Sequence, residues 1–276
     1  MKSEALAAPY AASADAPLVA TRVWRQFPSR VVTFCLVELQ KIKHDRTELM
    51  VRAIQPALWL IIFGQTFSNI RAIPTGGVPY LDFLAPGIVA QSTMFVAIFY
   101  GIQIIWERDA GVLNKLLVTP TPRSALILGK SFSSGIRSMA QVIVVLVLSV
   151  ILGVTLTLNP LNILGSFAIV MLGAGFFSCL SMTVAGVVLK RERLMGIGQM
   201  ITMPLFFASS ALYPVSIMPH WLRALALVNP LSYEVDALRG FLIGTHAHYA
   251  LDFAVLIGAV VIGVITAASL VGRLAR

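Results

Sequence analysis

Charged side chains are absent from five stretches of this chain, residues 53–70, 83–106, 138–189, 194–222 and 253–272. The third is too long for a single membrane crossing. Its 52 residues would make a helix about 78 Å long at about 1.5 Å per residue, whereas the hydrocarbon core of a bilayer is about 30 Å thick. The run therefore turns back on itself. Leu158-Asn159-Pro160-Leu161-Asn162 marks the place, because Asn and Pro end helices and open turns. The pattern predicts an all-α polytopic membrane protein with six transmembrane helices near 51–70, 83–106, 130–155, 161–189, 194–214 and 250–272.

Shorter amphipathic patterns flank these spans. Pro28 opens a predicted helix over 29–44, with Val31, Phe34, Cys35, Leu39 and Ile42 at helical spacing and Arg30, Lys41, Lys43 and Arg46 as a basic flank. Such a helix lies in the membrane interface, either as an orientation anchor or as a second docking element. The tail before it, 1–28, is rich in Ala, Ser and Pro and lacks the basic-then-apolar order of a signal peptide. Residues 29–276 then form the transmembrane domain. Between spans five and six, the segment 213–249 carries only Arg223, Glu234, Asp236 and Arg239 as charges, and Asn229-Pro230 divides it. Two short re-entrant-like helices, half sunk in the outer leaflet, fit it better than a solvated loop. Asp236 and Arg239, three residues apart, are expected to pair.

Composition agrees with the span pattern. The chain is 58% hydrophobic and 12% charged, with a mean hydropathy of +0.86; a soluble domain carries about 25% charged residues. The formal charge of +9 speaks to orientation rather than to nucleic acid. With the N-terminus inside, 18 of the 21 Lys and Arg fall on cytosolic segments, leaving Arg71, Arg223 and Arg239 outside. This asymmetry places both termini in the cytosol.

Candidate chemistry is sparse. Cys35 and Cys179 are distant and sit among apolar residues, as small buried side chains do. His246 and His248 have no third ligand nearby in sequence and read as exposed, with no metal implied. Leu128-Gly129-Lys130-Ser131 imitates the end of a phosphate-binding loop, but Ser124 stands where its first Gly is required and no strand precedes it. Lys130 is better read as a snorkelling charge. No catalytic set appears. Spans almost free of charge argue against an ion-coupled carrier, which keeps an ionisable group at mid-membrane, and against an intramembrane hydrolase. Gly173, Gly175, Ser178, Gly258 and Gly263 are expected at close helix contacts, and Pro56 and Pro204 at kinks.

The polar bridge between spans two and three, 106–123, stands out against this background. Glu107, Arg108 and Asp109 open it, Leu113, Leu116 and Leu117 form an apolar strip, and Pro120 and Pro122 close it. A charged, helix-capable handle on the cytosolic side implies a partner there. A second polar motif runs from Asn229-Pro230-Leu231-Ser232-Tyr233 through Asp236-Ala237-Leu238-Arg239-Gly240.

These two motifs, in this order and topology, resemble the permease subunits of type-2 ABC exporters, the group that includes daunorubicin-resistance, Nod-factor and polysaccharide-export permeases. The bridge resembles the family signature E-R-x-x-G-x-L…L-x-x-T-P…R. The resemblance covers nearly the whole chain and implies a non-catalytic permease. It would pair with a second permease, the same or a sister chain, and dock two copies of a cytosolic ATP-binding subunit. ATP and Mg would then be bound by that partner, leaving this chain without a cofactor. Glu107, Arg108, Asp109, Gly111, Leu113, Leu116, Leu117, Thr119, Pro120 and Arg123 would form the coupling interface, with Gly111 allowing close approach. Tyr233, Asp236 and Arg239 would belong to an outer gate. Phe95, Phe99, Phe206, Phe207 and Tyr213 are candidates to line a substrate path. The cargo is expected to be a drug or lipid-like amphiphile, since no carbohydrate-type aromatic ladder is evident; polysaccharide or glycolipid export is the alternative. An ion-coupled transporter and a structural membrane anchor are the rival classes. Membrane lipid is the other expected partner, and nucleic acid is not.

Overall fold

The computed structural model describes residues 46–70, 73–113, 123–157 and 159–274, with the side chains of 46–50 and 69–70 excepted. The interfacial helix expected over 29–44 lies outside the described residues, as does Cys35. Nine α-helices occur among the described residues. They are α1 Arg46–Leu58, α2 Gln65–Ile70, α3 Tyr80–Asp109, α4 Arg123–Ile151, α5 Pro160–Val188, α6 Arg191–Phe207, α7 His220–Val228, α8 Pro230–Ile243 and α9 Tyr249–Leu274. A π-helical turn, Trp59–Gly64, joins α1 to α2 without a break. It begins three residues after Pro56, which lies inside α1; π-turns and Pro are the usual causes of bending in long helices.

Four helices, α3, α4, α5 and α9, are long and apolar enough to cross a membrane. Helix α5 is the hub, with α3, α4 and α9 packed around it. Its start is written in the sequence. Asn159 accepts a hydrogen bond from Leu161 N at 3.1 Å, and Pro160 occupies the first helical position, where a missing N–H costs nothing. The same Asn-Pro-Leu device opens α8, where the Asn229 side chain accepts from Leu231 N at 3.1 Å. The start of α3 is tied to the α4–α5 turn through Asp82. Its carboxylate accepts from Thr155 N at 3.2 Å and from the Thr155 hydroxyl, and a negative charge in the first helical turn also complements the helix dipole.

Helices α3 and α5 approach closely at Gly101. A Cβ there would sit 2.6 Å from Ser178 O and 2.6 Å from Ser181 Cβ, and the Ser181 hydroxyl donates to Ile98 O at 2.7 Å. Small residues of this kind allow such crossings where no hydrophobic force drives helices together. Of the glycines expected at helix contacts, Gly173 and Gly263 do face close neighbours, and Gly175 makes ordinary contact with Val260 at 3.5 Å. Gly258 does not: nothing lies within 4 Å of its added Cβ, because it points away from the bundle.

Two departures from the expected spans have clear causes. The third apolar helix stops at Ile151 rather than near 155, because Gly153 turns the chain at φ +90°. The fifth stops at Phe207 rather than near 214. Its last carbonyls are taken by side chains: Asn229 Nδ2 donates to Leu205 O at 2.7 Å and to Ala208 O at 3.3 Å, and the Ser209 hydroxyl donates to Phe206 O at 2.6 Å. At 17 residues, α6 is about 26 Å long.

The two short outer helices, α7 and α8, appear where the Asn229-Pro230 break places them. Helix α8 is deeper than a half-sunk helix. Glu234, 0% exposed, lies against Gly173 in the middle of α5 and faces Thr93 in the middle of α3. The interior is therefore not free of ionisable groups, contrary to the expectation from the spans. Arg137 is a second departure: it sits within α4 over the Tyr100 ring, 5.3 Å from the centroid, rather than on a cytosolic segment.

Gly101→Ala is expected to destabilise the bundle by about 1–3 kcal/mol through overpacking, because Ser178 backbone cannot yield as a side chain would. Gly258→Ala is expected to be neutral or to stabilise by up to about 1 kcal/mol through helix propensity. Thermal unfolding of both variants in detergent checks the contrast.

Candidate functional site

The C-terminal end of α3 is knitted into its neighbours. Glu107 pairs with Lys130 of α4, whose Nζ lies 2.5 Å from both carboxylate oxygens. Lys130 is thus an ion-pair partner and not simply a snorkelling charge. Arg108 Nη1 donates to Leu189 O at 2.9 Å, while its Nε and Nη2 donate to Asp109 Oδ1 at 3.0 and 2.8 Å. Leu189 ends α5 in the left-handed region at φ 56°, an uncommon conformation for a branched side chain. The Arg108 contact holds that turn. On the other side of the same turn, Arg191 lies over the Trp106 ring, 4.9 Å from its centroid, at cation–π distance.

Glu107, Arg108 and Asp109 therefore bind α3 to α4 and to the α5–α6 turn. Helix α3 ends at Asp109, and Gly111 follows at φ +71° with nothing within 4 Å of an added Cβ. The glycine serves a left-handed bend here; close approach of another part of this chain plays no part in it. Leu113 is 0% exposed and belongs to the protein's own core. Arg123 opens α4 and lies against Gly272 of α9. Leu116, Leu117, Thr119 and Pro120 lie outside the described residues. Lys130, Leu189 and Arg191 were missed by sequence reasoning. The one available signal was the pairing of Glu107 with the nearest opposite charge on the next helix.

The candidate gate residues diverge. Arg239 is buried, with Nη2 donating to Ser210 O at 2.6 Å and Ala211 O at 3.3 Å and Nε donating to Phe83 O at 3.3 Å. Its guanidinium also covers the Phe83 ring, 3.6 Å from the centroid. The expected Asp236–Arg239 pair is not among the ion pairs of the described residues. Asp236 instead lies 4.0 Å from His248 Nδ1 and accepts from His248 N at 3.4 Å. Tyr233 donates its hydroxyl to Leu227 O at 2.7 Å and so clips α8 to α7.

The candidate lining aromatics fall into two groups. Phe95 and Phe99 stack with centroids 6.3 Å apart. Phe206 and Phe207 pack instead on Trp59 of the π-turn, at 5.4 and 6.3 Å, and the Tyr213 hydroxyl donates to Phe207 O at 2.5 Å. A third set was not expected. Trp59, Phe63, Phe67, Tyr80 and Phe83 form a continuous row with successive centroids 4.3, 5.9, 5.5 and 6.3 Å apart. The row was illegible because it crosses from the π-turn and α2 to α3. Tyr80 and Phe83 are buried within it.

Apolar helices of membrane-crossing length, packed through small residues with polar groups clustered at their ends, make this a multi-pass membrane protein. The family model of the ABC-2 type transporter matches residues 31–243, and the chain belongs to that family of membrane permeases. It is 29% identical over 193 residues to the putative transport permease ycf38 of Porphyra purpurea, covering 69% of this chain and 66% of that one, slightly under two thirds of the relative's length. It is 24% identical over 237 residues to the daunorubicin resistance ABC transporter permease protein DrrB1 of Streptomyces coeruleorubidus, covering 86% and 83%. It is 28% identical over 219 residues to nodulation protein J of Rhizobium leguminosarum bv. trifolii, covering 79% and 81%.

Because the strain at Gly111 is purely conformational, Gly111→Ala is expected to cost about 1–2 kcal/mol, and Gly111→Asn clearly less, since Asn tolerates the left-handed region. Comparative thermal denaturation of the two variants gives the answer.

Proposed function

We propose that this chain is the permease subunit of an ATP-driven exporter. It couples to a separate cytosolic ATP-binding subunit through the segment 107–123, and it moves an amphiphilic or hydrophobic molecule out of the cell. The observation that carries this reading is the double tie at the end of α3. Glu107–Lys130 and Arg108–Leu189 fasten the segment's origin to α4 and to the α5–α6 turn at once. A push on the bridge is then delivered to three helices together, as rigid-body switching requires. In this reading α1 with α2 and α6 complete a set of six spans, both termini are cytosolic in a bacterial inner membrane, and two permeases pair to enclose the path. ATP and Mg belong to the partner. Arg239, by fixing 210–211 against α3, sets the position of the outer helices that would open the exit. A drug or a lipid-like amphiphile is the favoured cargo, in keeping with the drug-resistance name of one relative.

Glu234 favours a second reading, an ion-coupled transporter, because a carboxyl group enclosed at mid-membrane is what such carriers keep. It weighs less, since Glu234 faces only α3 and α5 and no arrangement of further ionisable groups continues from it among the described residues.

Co-purification with a co-expressed ATP-binding subunit, followed by its ATP hydrolysis rate in proteoliposomes, tests the coupling. Glu107→Lys places two cations together and is expected to lower permease-dependent hydrolysis at least about tenfold, on the scale of 1.4 kcal/mol per decade. The swap Glu107→Lys with Lys130→Glu is expected to restore it. Hydrolysis indifferent to both, or export driven by a proton gradient alone, would sink the exporter reading. Topology is tested separately in a Cys35→Ser background. A cysteine at His246, an exposed loop position, should react with a membrane-impermeant thiol reagent from outside, and one at Asp109 only from the cytosol. Ser232 is a poor probe because its hydroxyl is buried.

A further inference from the structure

We propose that the cavity between α1, α3 and α4 binds a planar aromatic amphiphile whose neutral polar group both donates and accepts hydrogen bonds. The cavity has a volume of about 310 Å³ and is lined by Gln91, Phe95 and Phe99 of α3, Gln141 of α4 and Arg52, Gln55 and Pro56 of α1, among others. That volume falls within the range of small-molecule sites.

The polar groups define the ligand. Gln91 and Gln141 are 2% and 1% exposed, and both amide atoms of each have no hydrogen-bond partner among the described residues. Four unpartnered amide atoms in a lipid-embedded domain are costly, and a native fold does not keep buried polar atoms idle without cause. The two residues lie about 11 and 10 positions from the same ends of antiparallel helices, so both sit about 15–17 Å from that side, near the bilayer midplane. A carboxamide is at once donor and acceptor. Two of them converging on one cavity complement an amide, a lactam or a paired hydroxyl and carbonyl, while Arg52, the charged residue in the lining, already has an interaction of its own.

The walls define the rest. Phe95 and Phe99 are stacked at an interplanar angle of 22° and present parallel faces suited to a flat ring system. Ser92 gives its hydroxyl to Ile88 O at 2.8 Å and so makes no demand on the ligand. The α1 wall is formed by the early turns of that helix, on the cytosolic half under the topology proposed above. A ligand would therefore enter from the inner leaflet. Only this direction of loading rests on the exporter reading; the binding itself does not.

Binding is read on the full-length permease in lipid nanodiscs without nucleotide or ATP-binding subunit. The probe is the fluorophore 9-anthracenecarboxamide, and 9-methylanthracene is its apolar counterpart. Saturable binding of the carboxamide alone is expected, weakened about tenfold by Gln91→Leu and by Gln141→Leu. Both variants should keep or raise Tm, because an apolar side chain of similar size removes unpartnered amide atoms. Non-saturable partition of both probes alike, or carboxamide binding untouched by both substitutions, would overturn the site. A marked loss of Tm in both variants would overturn it as well, by making the amides structural. No saturable carboxamide binding by the unsubstituted permease beside intact Glu107-dependent ATP hydrolysis would refute this site alone, and the converse would refute only the exporter reading.

Discussion

Irregular backbone at membrane depth survives only if its carbonyls find donors inside the protein, and the stretch 208–214 depends on that condition. It lies over Gly87 of α3, where Ala211 O would be 2.4 Å from an added Cβ. The carbonyls of Leu205, Ala208, Ser210 and Ala211 are served by side chains of the protein. Asn229 supplies the first two and Arg239 the last two, while Tyr80 donates to Leu212 O at 3.1 Å. Every one of these donors comes from α3 or from the α7–α8 segment. The break in α6, the depth of α8 and the outer end of α3 are therefore a single construction, and no part of it can be kept without the others. An Arg in this position is expensive to bury. It is tolerated because three carbonyls and the face of Phe83 surround it.

Helix α3 carries that construction to the other side. Its 30 residues span about 45 Å, with Asp82 and Phe83 bound near the N-terminal end and Glu107 and Arg108 bound near the C-terminal end. Both ends are fixed by polar contacts to other helices, and most of its length is buried between them. A displacement at one end is not easily absorbed within the helix. It passes to α5 at Gly101 and to 208–214 at Gly87, where the packing leaves no slack. The charged residues at the bridge thus act first within the permease. They tie α3 to α4 and to the α5–α6 turn.

The sequence disclosed those features that depend on a residue's immediate neighbours. The two Asn-Pro-Leu helix starts, the turn within 138–189 and the existence of α7 and α8 all follow from local chemistry. So does the membrane class, which needs only summed hydropathy. What was hidden depends on contacts between distant segments. Glu234 looked like a loop charge because its burial is set by Gly173 and Thr93. Arg137 looked cytosolic because its aromatic partner lies on another helix. Gly258 resembled Gly263 in composition, yet only one of them faces a neighbour. The positive φ of Gly111 was not legible, since close approach of a partner and positive φ leave the same mark in a sequence. Part of the coupling segment, 116–120, lies outside the described residues, so its apolar strip rests on spacing alone.

The aromatic row from Trp59 to Phe83 bears on what the permease handles. Phe63 is 37% exposed, so the row is partly an outer surface of the bundle and not only packing. It runs from the π-turn toward the outer end of α3 and terminates under Arg239. Its polar end is thus attached to the construction that fixes the outer helices, and its apolar end to the bend in the first helix. The Gln91–Gln141 cavity is lined by α1, α3 and α4 and shares none of the row's residues. Two chemically different surfaces therefore meet at α1: one lined by amides, at mid-membrane, and one of stacked rings leading outward. A molecule with a flat apolar body suits both, because rings stack on rings at either place. A purely aliphatic lipid gains from neither the amides nor the stacking. Under the cavity proposal, the amphiphile is therefore selected by shape, rigid and ring-containing, more than by its overall hydrophobicity.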